Sequence, residues 1–172
     1  AAYNTSFNMS GINRPEDHLG FLKGLEKLLQ HSGYPDLKIL FKPKKPYCLY
    51  LESHIIDIAE IAEQLKNHPR FEIIDNRISS RQTMAIADLN VVMAFASPGI
   101  EAAFAGKPTF YFDPLNRYPH SYFKKYPNFV ASDLIQLNKM VSHWLKISKE
   151  EVLSYFKENI APDYYGGGEH DG

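Results

Sequence analysis

Cysteine is nearly missing from this chain. Cys48 is the only one in 172 residues, which excludes an internal disulfide and a zinc site built on thiolates. Such poverty in cysteine suits a reducing compartment. An excess of charge of one sign is missing too. The formal net charge is −1, so no overall field draws the chain to nucleic acid or to an anionic membrane. Apolar runs stop short of the roughly 18 residues that a transmembrane helix needs. The seven histidines form no His-Glu-x-x-His, no pair at i and i+4, and no cluster with Asp or Glu, so no metal site is expected. The GxGxxG fingerprint, the Walker loop and the GxSxG elbow of serine hydrolases are absent.

What is present is an ordinary globular balance, 44% hydrophobic and 23% charged, over a length sufficient for one domain with a real core. The clearest stretch runs from Asp88 to Pro114. Residues 89–95 are a Val-rich apolar run, the pattern of a strand buried on both faces. Ala96-Ser97-Pro98-Gly99 interrupts it, with Ser97 placed to cap a helix and Pro98 at the first helical position, where its missing N–H costs nothing. A helix over 100–105 is expected to stop at Gly106, and 109–112 to form a second buried strand. A strand–helix–strand unit this tight implies parallel pairing.

The rest of the chain alternates in the same way. Strands are expected at 1–5, 37–41 and 71–74, and a brief extended segment at 47–51. Helices are expected at 15–33, 53–67, 79–87, 134–145 and 149–159. Residues 117–128 are aromatic and fit no single form. The fold class is therefore α/β, a Rossmann-like doubly wound parallel sheet with helices on both faces. Residues 1–160 read as a single domain and 161–172, with three consecutive glycines, as a loose tail. In such sheets ligands sit beyond the carboxyl ends of the strands, which draws attention to five loops.

The turn at Ser97, Pro98, Gly99 and Ile100 aims a helix N-terminus, and its N–H groups, at this edge, where phosphate is favoured. Gly99 would permit close backbone approach. Glu101, just inside the helix, has the chemistry to accept two ribose hydroxyls; the alternative is a simple complement to the helix dipole. Lys42 comes first after its strand and is the better candidate to neutralise a phosphate, whereas Lys44 and Lys45 are expected to face solvent. Ser6, Asn8, Ser10 and Gly11 form a polar loop after the first strand, either a phosphate cradle or a plain turn. Asp75 and Arg77 follow the third strand, as base or sugar contacts or as an internal ion pair. Asp113, Arg117 and His120 follow the last, lining a sugar site or stabilising an irregular loop.

The motif ADLNVVMAFASPGIEAAFAGKPTFYFD resembles the nucleotide-sugar-binding half of GT-B glycosyltransferases, through Ala87-Asp88, Ser97, Gly99, Glu101-Ala102 and Gly106-Lys107-Pro108 before the apolar residues 109–112. It looks most like enzymes of bacterial capsule and lipopolysaccharide assembly. The resemblance implies one half of a GT-B architecture, the C-terminal donor domain. It also implies that the loop before the helix touches phosphate or sugar, that Glu101 holds the ribose, and that Lys42 assists. It carries no cofactor beyond the nucleotide-sugar donor itself. The acceptor glycan and the catalytic base are then expected on an N-terminal domain outside these residues, and the isolated chain is expected to be inactive. A cytoplasmic location is expected, with the inner face of a bacterial membrane as one place of work. One departure stands out: related transferases carry His-Pro after the basic strand end, and here the segment reads Lys42-Pro43-Lys44-Lys45-Pro46. Two other readings remain open, a nucleotide-sugar 2-epimerase-like domain and a non-catalytic Rossmann-like interaction module.

Overall fold

The computed structural model describes residues 2–5, 14–31 and 33–165. Strands β1 (Ala2–Thr5), β2 (Ile39–Pro43), β3 (Phe71–Ile73), β4 (Asn90–Met93), β5 (Thr109–Phe112) and β6 (Val130–Ala131) form one sheet, ordered β3-β2-β1-β4-β5-β6 and parallel throughout. Every residue of β4 and β5 is buried, as strands covered by helices on both faces must be. The helices are α1 (Pro15–Gln30), α2 (Cys48–Leu51), α3 (Ile56–Lys66), α4 (Ser80–Ile86), α5 (Ser97–Phe104), α6 (Leu134–Trp144), α7 (Lys149–Asn159) and α8 (Ala161–Tyr165).

Chirality places them. Crossovers between parallel strands are right-handed. The steps β1 to β2 to β3 run one way along the sheet, and the steps β3 to β4 to β5 run back. The connecting helices therefore fall on opposite faces: α1 and α3 on one, joined by α6, and α4 with α5 on the other. The sheet reverses between β1 and β4, and that switch point opens a crevice at the carboxyl edge. The Rossmann-like doubly wound architecture expected from the alternation is the one observed.

Local chemistry sets the element ends. Ser79 Oγ accepts from Gln82 N at 3.2 Å, and Gln82 Oε1 accepts from Ser79 N at 3.1 Å, a reciprocal cap that starts α4. Ser148 and Glu151 start α7 in the same way, and Asp133 caps α6. At the end of α5, Gly106 N donates to Ala103 O and Lys107 N to Ala102 O, with Gly106 at φ +69°. That is a Schellman stop, which needs a residue tolerant of the left-handed region.

Four expectations change. Lys42 is not in a loop, because β2 runs two residues further, to Pro43, to keep register with Thr5 on β1. Residues 48–51 are a helical turn rather than extended, since only helical spacing puts Tyr47 and Tyr50 together on Phe41, at 5.6 and 5.8 Å between ring centroids. β6 was not anticipated, being two residues long beyond a 3-10 turn at Tyr122–Lys125. And the first five residues of the stretch read as a tail form α8, held where Asp163 accepts from Lys125 Nζ and Tyr126 Oη, both at 2.6 Å.

Candidate functional site

A cavity of about 540 Å3 opens at the carboxyl edge, beside the switch point. The ends of β2, β3 and β4 build it. Lys42 and Lys44 come from the first, Asn76 to Ser80 from the second, and Phe95 to Pro98 from the third. The sheet thus brings together Lys42, Arg77, Ser97 and Pro98, which lie far apart in the chain.

Lys42 is only 4% exposed. Its Nζ donates to Pro43 O at 2.8 Å and to Asn76 O at 3.0 Å, tying the end of β2 to the loop after β3. Burial lowers its pKa, and the nearby Asp75 carboxylate works against that shift. It is a wall of the cavity and a clamp between two of its loops. Lys44, expected to face solvent, is exposed but lies on the rim.

Asp75 and Arg77 do pair internally. Asp75 Oδ1 accepts from the Arg77 backbone N–H at 2.8 Å and from Nε at 3.0 Å, and Oδ2 accepts from a terminal nitrogen at 2.5 Å. Hydrogen bonds from the Arg77 side chain and backbone hold the Asp75 carboxyl down at about 2. The pair sets the loop, and Arg77 also lines the cavity.

The start of α5 differs most from expectation. Ala96, not Ser97, is the N-cap, and no side chain caps the helix. Ser97 and Pro98 occupy its first two positions. Pro98 has no N–H. Gly99 N donates to Ala96 O at 3.1 Å. The Tyr111 hydroxyl donates to Ala96 O at 3.1 Å. Gly99 is buried and Ile100 half-buried. A Cβ on Gly99 would lie 2.4 Å from the Tyr111 ring, so its smallness makes room for that ring. Burial raises the Tyr111 pKa, keeping the hydroxyl protonated and able to donate.

Glu101 does not line this cavity. It pairs with Arg81 Nε at 3.2 Å and lines an adjoining groove of about 450 Å3 between α4 and α5. Arg81 lies two residues after the α4 cap, and Ser79 and Ser80 belong to the cavity. Ser80 of the cavity and Arg81 of the groove are thus neighbours at the start of α4. Arg81 itself was not picked out in the sequence, because nothing in its local pattern announces a partner 20 residues away.

Asp113 and Arg117 hold a loop in place. Asp113 is buried and accepts from Arg117 N at 3.0 Å and Tyr118 N at 3.1 Å. Arg117 pairs with Asp17 at 2.5 Å and Glu16 at 3.3 Å in the first turn of α1. Together they fasten the loop after β5 to α1. His120 is exposed on that loop and does not line the cavity. Ser6, Asn8, Ser10 and Gly11 lie outside the described residues. No group of three or more His, Cys, Asp or Glu side chains is disposed for a metal among the described residues. No helix there is long and apolar enough to cross a membrane.

Fold and cavity together define a Rossmann-like α/β domain with a cationic pocket at its switch point. The chain belongs to the polysaccharide biosynthesis PFTS motif proteins, a family that matches residues 8–141. The tetrapeptide in that name does not occur; Ala94-Phe95-Ala96-Ser97 is the only place where Ser stands two residues after Phe. No curated protein matches the sequence. Among solved structures, the chain is similar to a UDP-forming α,α-trehalose-phosphate synthase from Burkholderia xenovorans, with 10% identity, TM-score 0.59, and 94% of this chain against 40% of that one. It is also similar to the N-terminal domain of trehalose-6-phosphate phosphatase from Candida albicans, with 14% identity, TM-score 0.56, and 91% against 36%. A third is the S. aureus MnaA–UDP co-structure, with 12% identity, TM-score 0.54, and 92% against 39%. These likenesses are of fold, that of GT-B Rossmann-like domains, and the chain spans about two fifths or less of each structure's length.

Proposed function

We propose that this chain is the C-terminal, nucleotide-sugar-binding domain of a GT-B glycosyltransferase that builds a bacterial cell-surface polysaccharide such as capsule or lipopolysaccharide. The observation that carries the reading is the cavity in which Lys42, Lys44, Arg77 and Ser97 converge beside the switch point, with the Glu101 carboxylate in the adjoining groove. Phosphates sit in the cavity and the nucleoside runs over the start of α4, so that Glu101 accepts from the ribose hydroxyls and Arg81 holds that carboxylate in place. Ala94-Phe95-Ala96-Ser97 is then this chain's version of the family motif, with Phe95 as a wall and Ser97 offering its hydroxyl and N–H.

The reaction is transfer of a sugar. The acceptor oxygen attacks the anomeric carbon, the bond from that carbon to the phosphate oxygen breaks, and the departing nucleoside phosphate takes the bonding pair. This domain contributes electrostatic stabilisation of that leaving group. The acceptor site and the base that takes the acceptor's proton belong to an N-terminal partner domain. The protein works in the cytoplasm at the inner face of the membrane, without a span of its own in the described residues.

Titration with UDP, CDP, GDP and CMP tests the reading. At least one binds, and Glu101→Gln weakens it about tenfold or more, the effect of losing a charge-assisted hydrogen bond. The chain alone transfers no sugar. Failure of all four to bind returns the chain to the interaction-module reading, and turnover by the purified chain overturns the two-domain assignment.

A further inference from the structure

A single 3-10 turn holds itself poorly, because its bonds are few and their geometry is weak. The turn at Tyr122–Lys125 has Lys124 N donating to Ser121 O at 2.9 Å, Tyr126 N to Phe123 O at 3.3 Å, and Phe123 N to the Ser121 hydroxyl. Side chains on both sides of it do the fixing. On the outer side, Asp163 of α8 accepts from two successive residues, Lys125 Nζ and the Tyr126 hydroxyl, each at 2.6 Å. Lys125 Nζ also lies 3.9 Å over the Tyr122 ring. On the inner side, Phe123 stacks on Phe95 with ring centroids 5.1 Å apart, and Phe95 is a wall of the carboxyl-edge cavity. Tyr111 and Tyr118 close round Phe95 at 5.1 and 5.5 Å. α8 also reaches α5, the helix that begins with Ser97 and Pro98: Tyr164 meets Phe104 edge-on at 5.1 Å.

On the reading that this cavity holds a nucleotide sugar, we infer that Asp163 is a positioning residue for donor binding, and that α8 is the strap through which it acts. Asp163 does not line the cavity. Its one carboxylate fixes the turn from outside, the turn holds Phe123, and Phe123 holds Phe95 as a firm wall. A ligand then meets a wall already in its bound position. With the strap released the wall takes several positions, and affinity falls by the fraction of molecules that keep the right one. The Lys125 and Asp163 side chains are both partly exposed, so this grip can be removed without opening the core behind it.

Calorimetric titration with the tightest binder among UDP, CDP, GDP and CMP tests this. Asp163→Ala weakens it about three- to tenfold, and amide exchange speeds up at Lys124 and Tyr126. Tyr126→Phe keeps the ring, loses one of the two donors, and weakens binding in the same direction by less. Ser148→Ala removes the cap of α7 and lowers Tm without touching the turn, and it leaves affinity unchanged. In Phe123→Ala, where the link to Phe95 is cut, adding Asp163→Ala brings no further loss. Parent-like affinity in Asp163→Ala overturns this inference and leaves the donor-domain reading standing. An additive loss in the double variant, or an equal loss in Ser148→Ala, overturns it as well. If none of the four nucleotides binds the parent, the donor-domain reading falls and this inference with it.

Discussion

Tyr111 and Gly99 show how much one contact decides. The ring of Tyr111 fills the space a Cβ on Gly99 would need, and its hydroxyl donates to Ala96 O at the start of α5. Gly99→Ala is therefore expected to destabilise the fold by about 1–3 kcal/mol through overpacking, read as a shift in the denaturant midpoint. Tyr111→Phe keeps the ring but removes the hydroxyl's bond to Ala96 O, for about 0.5–1.5 kcal/mol. If both variants unfold with the parent, the buttress has no energetic weight. From the sequence, Gly99 was legible only as a position that must stay small. Its neighbour is on another strand, so the choice between making room for a ligand and making room for a ring could not be made locally. Lys42 is a similar case. Its place near a strand end was legible, while the two carbonyls that hold it were not, because Asn76 is 34 residues away.

At the scale of elements, helix ends with a local capping pair or a glycine stop were legible, whereas the start of α5 was not, its N-cap being Ala96 rather than Ser97. Ser79 with Gln82 and Ser148 with Glu151 announce α4 and α7 within four residues. Gly106 announces the end of α5. Gly106→Ala is expected to cost about 1–2 kcal/mol for a left-handed backbone alone, and more because the new Cβ would meet Leu153 Cδ2 at 2.4 Å; thermal unfolding would check it, and an unchanged Tm would show that the turn re-forms otherwise. Lys107 follows that stop, and its Nζ donates to Ala85 O at 2.6 Å, capping the last turn of α4. The Gly-Lys-Pro of the motif thus locks α4 to α5, the two helices that flank Glu101. β6 and the turn before it were illegible because a two-residue strand has no periodicity, and its place is set by hydrogen bonds from Tyr111 N and Asp113 N, to Phe129 O and Ala131 O, at 2.8 Å each.

At the scale of the molecule, the doubly wound sheet was legible because alternation and crossover handedness leave few topologies. The candidate site was half legible: the edge and its loops could be listed, but not which loops meet. One global property follows from His18, which sits 2% exposed on α1 beside Tyr50. Burial depresses its pKa from the ordinary 6.5 to about 4, although Asp17 pulls the other way. Between those values the unfolded chain takes up a proton that the folded chain refuses. The stabilisation is complete above pH 6.5 and is lost as pH falls toward 4, by up to about 3 kcal/mol. Urea titrations at pH 7 and pH 4.5 should show His18→Gln losing less stability over that interval than the parent; parallel losses would assign the acid sensitivity elsewhere.

The aromatic side chains behind the cavity form an unbroken series. Phe95, a cavity wall, stacks on Phe123 at 5.1 Å; Phe123 meets Phe129 at 6.1 Å, Phe129 meets Phe156 at 6.3 Å, and Phe156 lies flat on Trp144 at 5.7 Å. Trp144 is the only tryptophan of the chain and is 1% exposed. The protein therefore carries a built-in optical reporter, a single indole emitting from a dry interior whose last link touches the ligand space. Its emission should move to longer wavelength in one step on unfolding. Any ligand that shifts Phe95 has a packed route to that signal, so its binding is expected to change Trp144 emission without a label.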